Sequence, residues 1–496
     1  MKELRNFTEK VLHFAQLKGA SYADVRVVPF ENREEILVKN GRVENLNYFE
    51  TRGFGVRVIY DGAWGFASSY RLDEKEIRKQ VEKAIDIAKA SAITRKWPVQ
   101  LSKEEVVEKG YYKTPVLRDP FEVPIDEKVS LLLKADSLMV EMSKKIKFTK
   151  GALRFVKTEK VFANTEGAYI IQEITQSGGG IIAKAVDGKE VQARSYPKRD
   201  GNFACMGYEF IDEMNLTNHS QRIAHEALQL LKAENCPEGE TTVILKPSQL
   251  YLQIHESIGH PIEADRILGS EITYAGGSFI TGILDQLGSY RYGSNRVTIV
   301  ADAMQRGSFG TFGYDDEGVP AKRTYIIKDG ILTGLLTSRE TIDTLNKKLR
   351  RTFFEKSNGT CRASSWNRIP LIRMTNISLM PGTWDMEDMI SDTDKGFIFD
   401  TNVSWSIDDE RRNFSFGTEI CWEIKNGKII RPLKNPIYMG ITPVFWRSCD
   451  AICNEGHFEW YGTPNCGKGQ PGQIMNVGHG ACPARFRKVK VRSRNK

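Results

Sequence analysis

Three Asx-Gly pairs, Asn40-Gly41, Asp329-Gly330 and Asn426-Gly427, each interrupt a run of alternating apolar and polar residues. Asn, Asp and Gly tolerate the positive φ that a two-residue hairpin turn demands, so each pair predicts two antiparallel strands. The alternation extends well beyond these turns. Residues 22–28, 33–39, 53–60, 241–246, 297–301, 323–336, 373–380, 396–403, 413–425 and 428–433 read as strands. So does much of 148–193, interrupted by Gly178-Gly179-Gly180. Helical periodicity marks residues 1–20, 73–92, 126–146 and 216–233. The polar stretch 234–240, with Pro237 and Gly239, is the clearest boundary. It divides an N-terminal domain of residues 1–235 from a C-terminal domain of residues 240–496.

Just past this boundary, Pro247-Ser248 predicts a helix start, and Leu250, Ile254 and Ile258 form one apolar stripe. This helix carries His255-Glu256-Ser257-Ile258-Gly259-His260. Two imidazoles can hold a zinc ion, and a neighbouring glutamate can take a proton from an attacking water. The common zinc pattern spaces its histidines four apart on one helix face. Here the spacing is five, about 500° of rotation, so a straight helix would splay the rings by about 140°. His260 must therefore sit on a bulge or past the helix end. Gly259 lowers helix propensity and Pro261 disfavours a helical His260, which predicts a helix end near Ile258. The fold class that results is α+β. A mixed N-terminal α/β domain precedes a β-rich C-terminal domain, whose catalytic helix packs on a mostly antiparallel sheet.

A catalytic zinc takes three protein ligands and leaves a fourth position to water. The late segment Asn465-Cys466-Gly467-Lys468-Gly469-Gln470-Pro471 offers a cysteine in a Gly-rich turn, with His457, His479 and Cys482 as rivals. Cys449 and Cys453 lack zinc-knuckle spacing and read as buried thiols, and His225 as a helix-face residue. Glu263 and Asp265 are expected either to orient an imidazole or to pair with Arg266. The acidic run Asp315-Asp316-Glu317 reads as a second cation site, a catch for a peptide amine, or a solvated turn. Gly276-Gly277 and Gly310 would let backbone approach an extended substrate strand.

The segments His255–Asp265 and Cys466-Gly467-Lys468-Gly469-Gln470 resemble the signature of the TldD/PmbA metalloprotease family, in its HExxxH-containing TldD branch. Gly313–Gly318, Arg373-Met374-Thr375-Asn376 and Ala163–Gly167 extend the likeness over nearly the whole chain. One departure is the loop Ser357-Asn358-Gly359-Thr360-Cys361-Arg362, where the family often carries a Gly-rich Ser-Thr-Gly-Asn-Gly type sequence. The resemblance implies a zinc-dependent peptidase acting on unstructured peptides or unfolded proteins. Its Zn²⁺ would be held by His255, His260 and Cys466, with Glu256 as general base. It also implies a homodimer, or a heterodimer with a PmbA-like subunit.

The net charge of +8 over 496 residues is modest, and part of it lies in the seven cations of the last 12 residues. Val489 and Val491 alternate with Lys488, Lys490 and Arg492, which predicts a strand with one solvated face and no nucleic-acid partner. The charged start Met1–Phe7 has no apolar leader, and no run approaches the ~20 apolar residues of a membrane span. Eight scattered cysteines argue against a disulfide framework. These features predict a cytoplasmic protein with no membrane partner and with Cys466 free for metal.

Overall fold

The computed structural model describes residues 2–272, 276–469 and 472–494; Gln470, Pro471 and Lys496 lie outside the described residues. All three predicted Asx-Gly hairpins form, and both central residues of each have positive φ, as at Asn40 (47°) and Gly41 (74°). The strands they join are longer than alternation predicts. Residues 22–28 and 33–39 belong to one strand, Tyr22–Lys39, which carries an irregularity between Val28 and Glu31.

This strand lies inside an eight-stranded sheet. From the edge inward run Ala63–Ser69, Arg42–Tyr60, Tyr22–Lys39, Ile146–Asn164 and Tyr169–Asp187, all antiparallel. Two groups of helices cover separate halves of these long strands. Lys2–Leu17 and Glu74–Thr94 bury Val11, Ala15, Ile77 and Val81 against Val25, Val27, Val56 and Val58. Asp73 caps the second of these helices by accepting from the Glu76 N–H, a contact worth about 1 kcal/mol. Ile125–Val140 and Leu216–Lys232 bury Leu132, Ala135, Ile223 and Ala224 against Ile36, Leu153, Phe155 and Ile181.

The second large sheet runs Lys395–Ile407, Gly239–Leu245, Ala484–Ser493, Pro436–Ile441, Asn413–Lys425. Asn413–Lys425 also pairs with Lys395–Ile407, so the path closes into a ring. All these pairings are antiparallel except that between Gly239–Leu245 and Lys395–Ile407. The tail alternation is realised here: Val489 and Val491 are buried in this sheet. Gly239–Leu245 leads directly into the helix Pro247–Ile254, so the motif is anchored to a central strand. Ser248 Oγ donates to Asp400, and Tyr438 Oη accepts from Gln249 while donating to Gln253. These bonds anchor the buried polar face of the helix, which cannot slide without leaving donors unpaired.

Candidate metal centre

The predicted helix end near Ile258 is not what forms. The helix continues through His255–Gly259 as one widened turn, in which the His260 N–H bonds to the His255 carbonyl at 3.1 Å. His260 itself has helical angles (φ −68°, ψ −41°) despite the proline that follows. The bulge is therefore the solution the chain uses, and an i→i+5 turn brings residues five apart to the same side. Pro261 has no N–H to offer the Ser257 carbonyl, and the Tyr292 hydroxyl donates to that carbonyl instead. Gly259 leaves room for Met374: a Cβ there would lie 2.2 Å from Met374 Sδ, so a larger residue needs that side chain to shift.

One donor atom from each of His255, His260 and Cys466 lies within 4.8 Å of the others, and all three residues are buried. Tetrahedral zinc with bonds of about 2.0–2.3 Å sets its donors roughly 3.3–3.6 Å apart, so a small contraction suffices. Cys466 comes from the hairpin Glu459–Lys468/Gln473–Ala481. It sits within the strand, just after the irregularity at Pro464-Asn465, rather than in the Gly-rich turn itself.

The surrounding groups direct both imidazole lone pairs inward. His479 Nδ1 lies 3.1 Å from the Ile377 carbonyl, which only accepts, so this nitrogen carries the proton. Burial holds His479 well below the usual histidine range, leaving its Nε2 as an acceptor 2.8 Å from His255 Nδ1. His255 then donates through Nδ1 and keeps the Nε2 lone pair. Burial pushes its pKa down to about 4, so it is neutral and ready for a cation at pH 7. His260 Nδ1 donates to Glu263 Oε2 at 3.1 Å, and its Nε2 lies 3.8 Å from Cys466 Sγ.

Glu263 serves both of its expected roles. Burial alone would raise its pKa, but Lys468 (3.3 Å) and Arg266 (2.7 Å) outweigh that and hold the carboxyl well below the usual range. Lys468, fully buried, also reaches Asp265 at 2.8 Å. Burial likewise opposes ionisation of Cys466. Arg373, which donates to the Cys466 carbonyl, and His260 overcome it and lower the thiol pKa, favouring the thiolate a metal needs. Glu256 is buried on the widened turn, with Arg411 Nη1 donating to its Oε2 at 2.7 Å.

Of the rivals for third ligand, His479 lies behind His255 rather than in the donor cluster, and the other two fall elsewhere. His457 pairs with Asp385 at 3.0 Å, and the Cys482 thiol donates to the Asn454 carbonyl. Cys449 and Cys453 are buried thiols and His225 is exposed, as expected. The acidic run is not a solvated turn. Asp315, Asp316 and Glu317 are fully buried, with Lys160 2.7 Å from Asp316 and Arg57 3.7 Å from Glu317. Asp315 accepts the N–H groups of Glu317, Val319 and Cys361, so it locks its own loop. Gly276 and Gly310 admit the protein's own backbone rather than a substrate: a Cβ on either would meet a carbonyl, of Asp409 or Thr375, at 2.3 Å. Arg411 and the supporting role of His479 escape sequence reasoning, because they act from loops and strands more than 150 residues from the motif.

No helix among the described residues is long and apolar enough to cross a membrane. Residues 24–88, 118–232 and 238–493 match, in turn, domain 1, the central domain and the C-terminal domain of the PmbA/TldA metallopeptidases. A metalloprotease from Methanocaldococcus jannaschii is 32% identical over 470 residues, 94% of this chain and 95% of that protein. A zinc metalloprotease TldD homolog from Saccharolobus solfataricus is 24% identical, over 97% of this chain and 99% of its own. The crystal structure of TldE from Thermococcus kodakarensis shares the fold, with a TM-score of 0.72 at 17% identity over 98% of this chain and 99% of that one. With most of its length and its histidine motif inside these matches, the chain belongs to the PmbA/TldD family of metallopeptidases.

Proposed function

We propose that this protein is a zinc-dependent peptidase that hydrolyses unstructured peptides or unfolded protein segments. One observation carries the reading: two neutral imidazoles and a thiol inclined to ionise converge, each imidazole lone pair aimed by a buried partner. Two nitrogens and one sulfur form a donor set suited to zinc, and the name of the Saccharolobus solfataricus relative agrees. Zinc bound there would supply Lewis acidity and lower the pKa of water toward neutrality. Glu256 accepts a proton from the attacking water and returns it to the leaving amine. Arg411 holds the Glu256 carboxylate in place, and Glu263 and His479 hold the ligand rings. We further propose that the enzyme works as a homodimer or with a related PmbA-like chain; co-purification of a second related chain would distinguish the two.

The test compares zinc content and cleavage of an unstructured fluorogenic peptide by wild type and Glu256→Gln. Cleavage by wild type alone, with equal zinc in both, is expected. Equal cleavage by both would overturn the role of Glu256. Loss of activity on chelation and its return with zinc would support the metal.

A further inference from the structure

A cleft of about 600 Å³ lies between the long strands of the first sheet and the C-terminal layer, beside the hairpin that carries Cys466. Asn465 and Met475 form part of its wall; the first precedes Cys466 and the second lies opposite Cys466 in the hairpin register. Six cations line the cleft, Arg26, Arg33, Arg154, Lys160, Arg362 and Arg368, against two carboxylates, Glu31 and Asp316. Asp316 is already committed: Lys160 lies at 2.7 Å and Arg26 at 3.8 Å, and the Ala363 N–H donates to it. Burial outweighs Arg33 and holds Glu31 above the usual carboxylate range, which reduces its capacity to neutralise the wall.

Two of the guanidinium groups have unmet donors. Arg362, 9% exposed, donates to the carbonyls of Met374 and Asn476, and its Nε is buried with no partner among the described residues. Arg26, 4% exposed, donates to the Arg368 carbonyl, and its Nε is likewise without a partner. Toward solvent, Arg33 and Arg154 share the half-exposed carboxylate of Glu35 at 4.0 and 3.8 Å, and Arg33 also lies 3.8 Å from Glu31. Guanidinium forks of this kind match a carboxylate in shape and charge. Arg362 also belongs to the loop that departs from the family's Gly-rich sequence.

We propose that this cleft binds a carboxylate of the peptide substrate beside the scissile segment, so that the enzyme favours peptides that place a carboxylate there. The proposal rests on the peptidase reading above. The carboxylate is either an Asp or Glu side chain or the peptide's own C-terminus.

The full-length zinc-loaded protein is given three unstructured peptides of equal length: one Glu-containing with an amidated C-terminus, one with Gln in place of Glu and amidated, and one with Gln and a free C-terminus. Cleavage (kcat/KM) and binding, the latter by fluorescence anisotropy, are both measured. One charge-assisted contact predicts a preference of about ten-fold for a carboxylate-bearing peptide over the neutral one. The preference should shrink in about 0.3 M salt. It should fall toward parity in Arg154→Gln and Arg33→Gln, which alter the half-exposed rim and spare the buried wall. Preference for the Glu peptide assigns a side chain, and preference for the free C-terminus assigns the terminus. Equal treatment of all three peptides, or a preference untouched by both rim substitutions, would overturn the proposal. If no peptide is cut yet anisotropy shows the preference, the cleft stands and the peptidase reading fails.

Discussion

Replacing Lys468 by methionine keeps the volume of a fully buried side chain and removes its charge. Three contacts go with the ammonium: Asp265 at 2.8 Å, Glu263 at 3.3 Å and the Ile372 carbonyl at 2.6 Å. Removing one member of a buried ionic group costs about 3–5 kcal/mol, because its partners remain desolvated. Glu263 keeps Arg266 at 2.7 Å, but Asp265 loses its only side-chain cation within ion-pair distance among the described residues. Burial already holds the Asp265 pKa above the usual aspartate range, so without Lys468 it takes up a proton, which caps the loss. The expected cost is therefore about 3 kcal/mol, roughly a hundred-fold in the unfolding equilibrium. Urea titration followed by the fluorescence of the eight tryptophans reads it directly. Zinc affinity should fall about 10–100-fold as Glu263 loses its anchor. Adding Asp265→Asn to Lys468→Met should restore about 1 kcal/mol or more. An unchanged urea midpoint together with unchanged zinc affinity would refute the idea that this lysine holds the carboxylates behind the metal ligands.

His479→Phe removes the acceptor for His255 Nδ1–H and should weaken zinc binding about 10–100-fold in a chelator competition. Gly259→Ala drives a Cβ to 2.2 Å from Met374 Sδ; a loss of about 1–3 kcal/mol and reduced zinc content are expected, both relieved by trimming Met374 to alanine in the same chain. Burial opposes the Asp400 carboxylate, but Lys246, Arg194 and two hydroxyls outweigh it and hold its pKa below the usual value. Its contribution is therefore present above the unfolded value of about 3.9 and lost as pH falls below it, so Tm should drop between about pH 5 and pH 3, and drop less in Asp400→Asn.

Turn chemistry is local, so the hairpins at Asn40-Gly41, Asp329-Gly330 and Asn426-Gly427 are legible in the sequence, whereas that at Asp61-Gly62 goes unread. The strand Asn413–Lys425 matches its predicted bounds because its two faces differ so clearly in polarity. Residues 373–380 mislead: only Ile377–Leu379 form a strand, with a lone bridge from Asn376 to Gly478, while Arg373 and Asn376 are buried to support the hairpin of Cys466 and the loop at Gly310. The widened turn at His255 is half legible. Spacing demands a distortion, but whether Gly259 and Pro261 end a helix or bulge it depends on Met374 and Tyr292, which no local pattern reveals. The buried acidic run and the cationic cleft are invisible for the same reason, since their counterions arrive from the first sheet.

His260 and Cys466 are 206 positions apart, and the strand leading into the motif helix is flanked by the last strand of the fold, Ala484–Ser493. A ribosome must therefore add 206 residues beyond His260 before the third donor can reach the first two. Until then the emerging chain holds two histidines and no complete grip on a metal. As the peptidase proposed above, the chain would be unable to cut until that donor arrives, so the order of synthesis itself would delay activity.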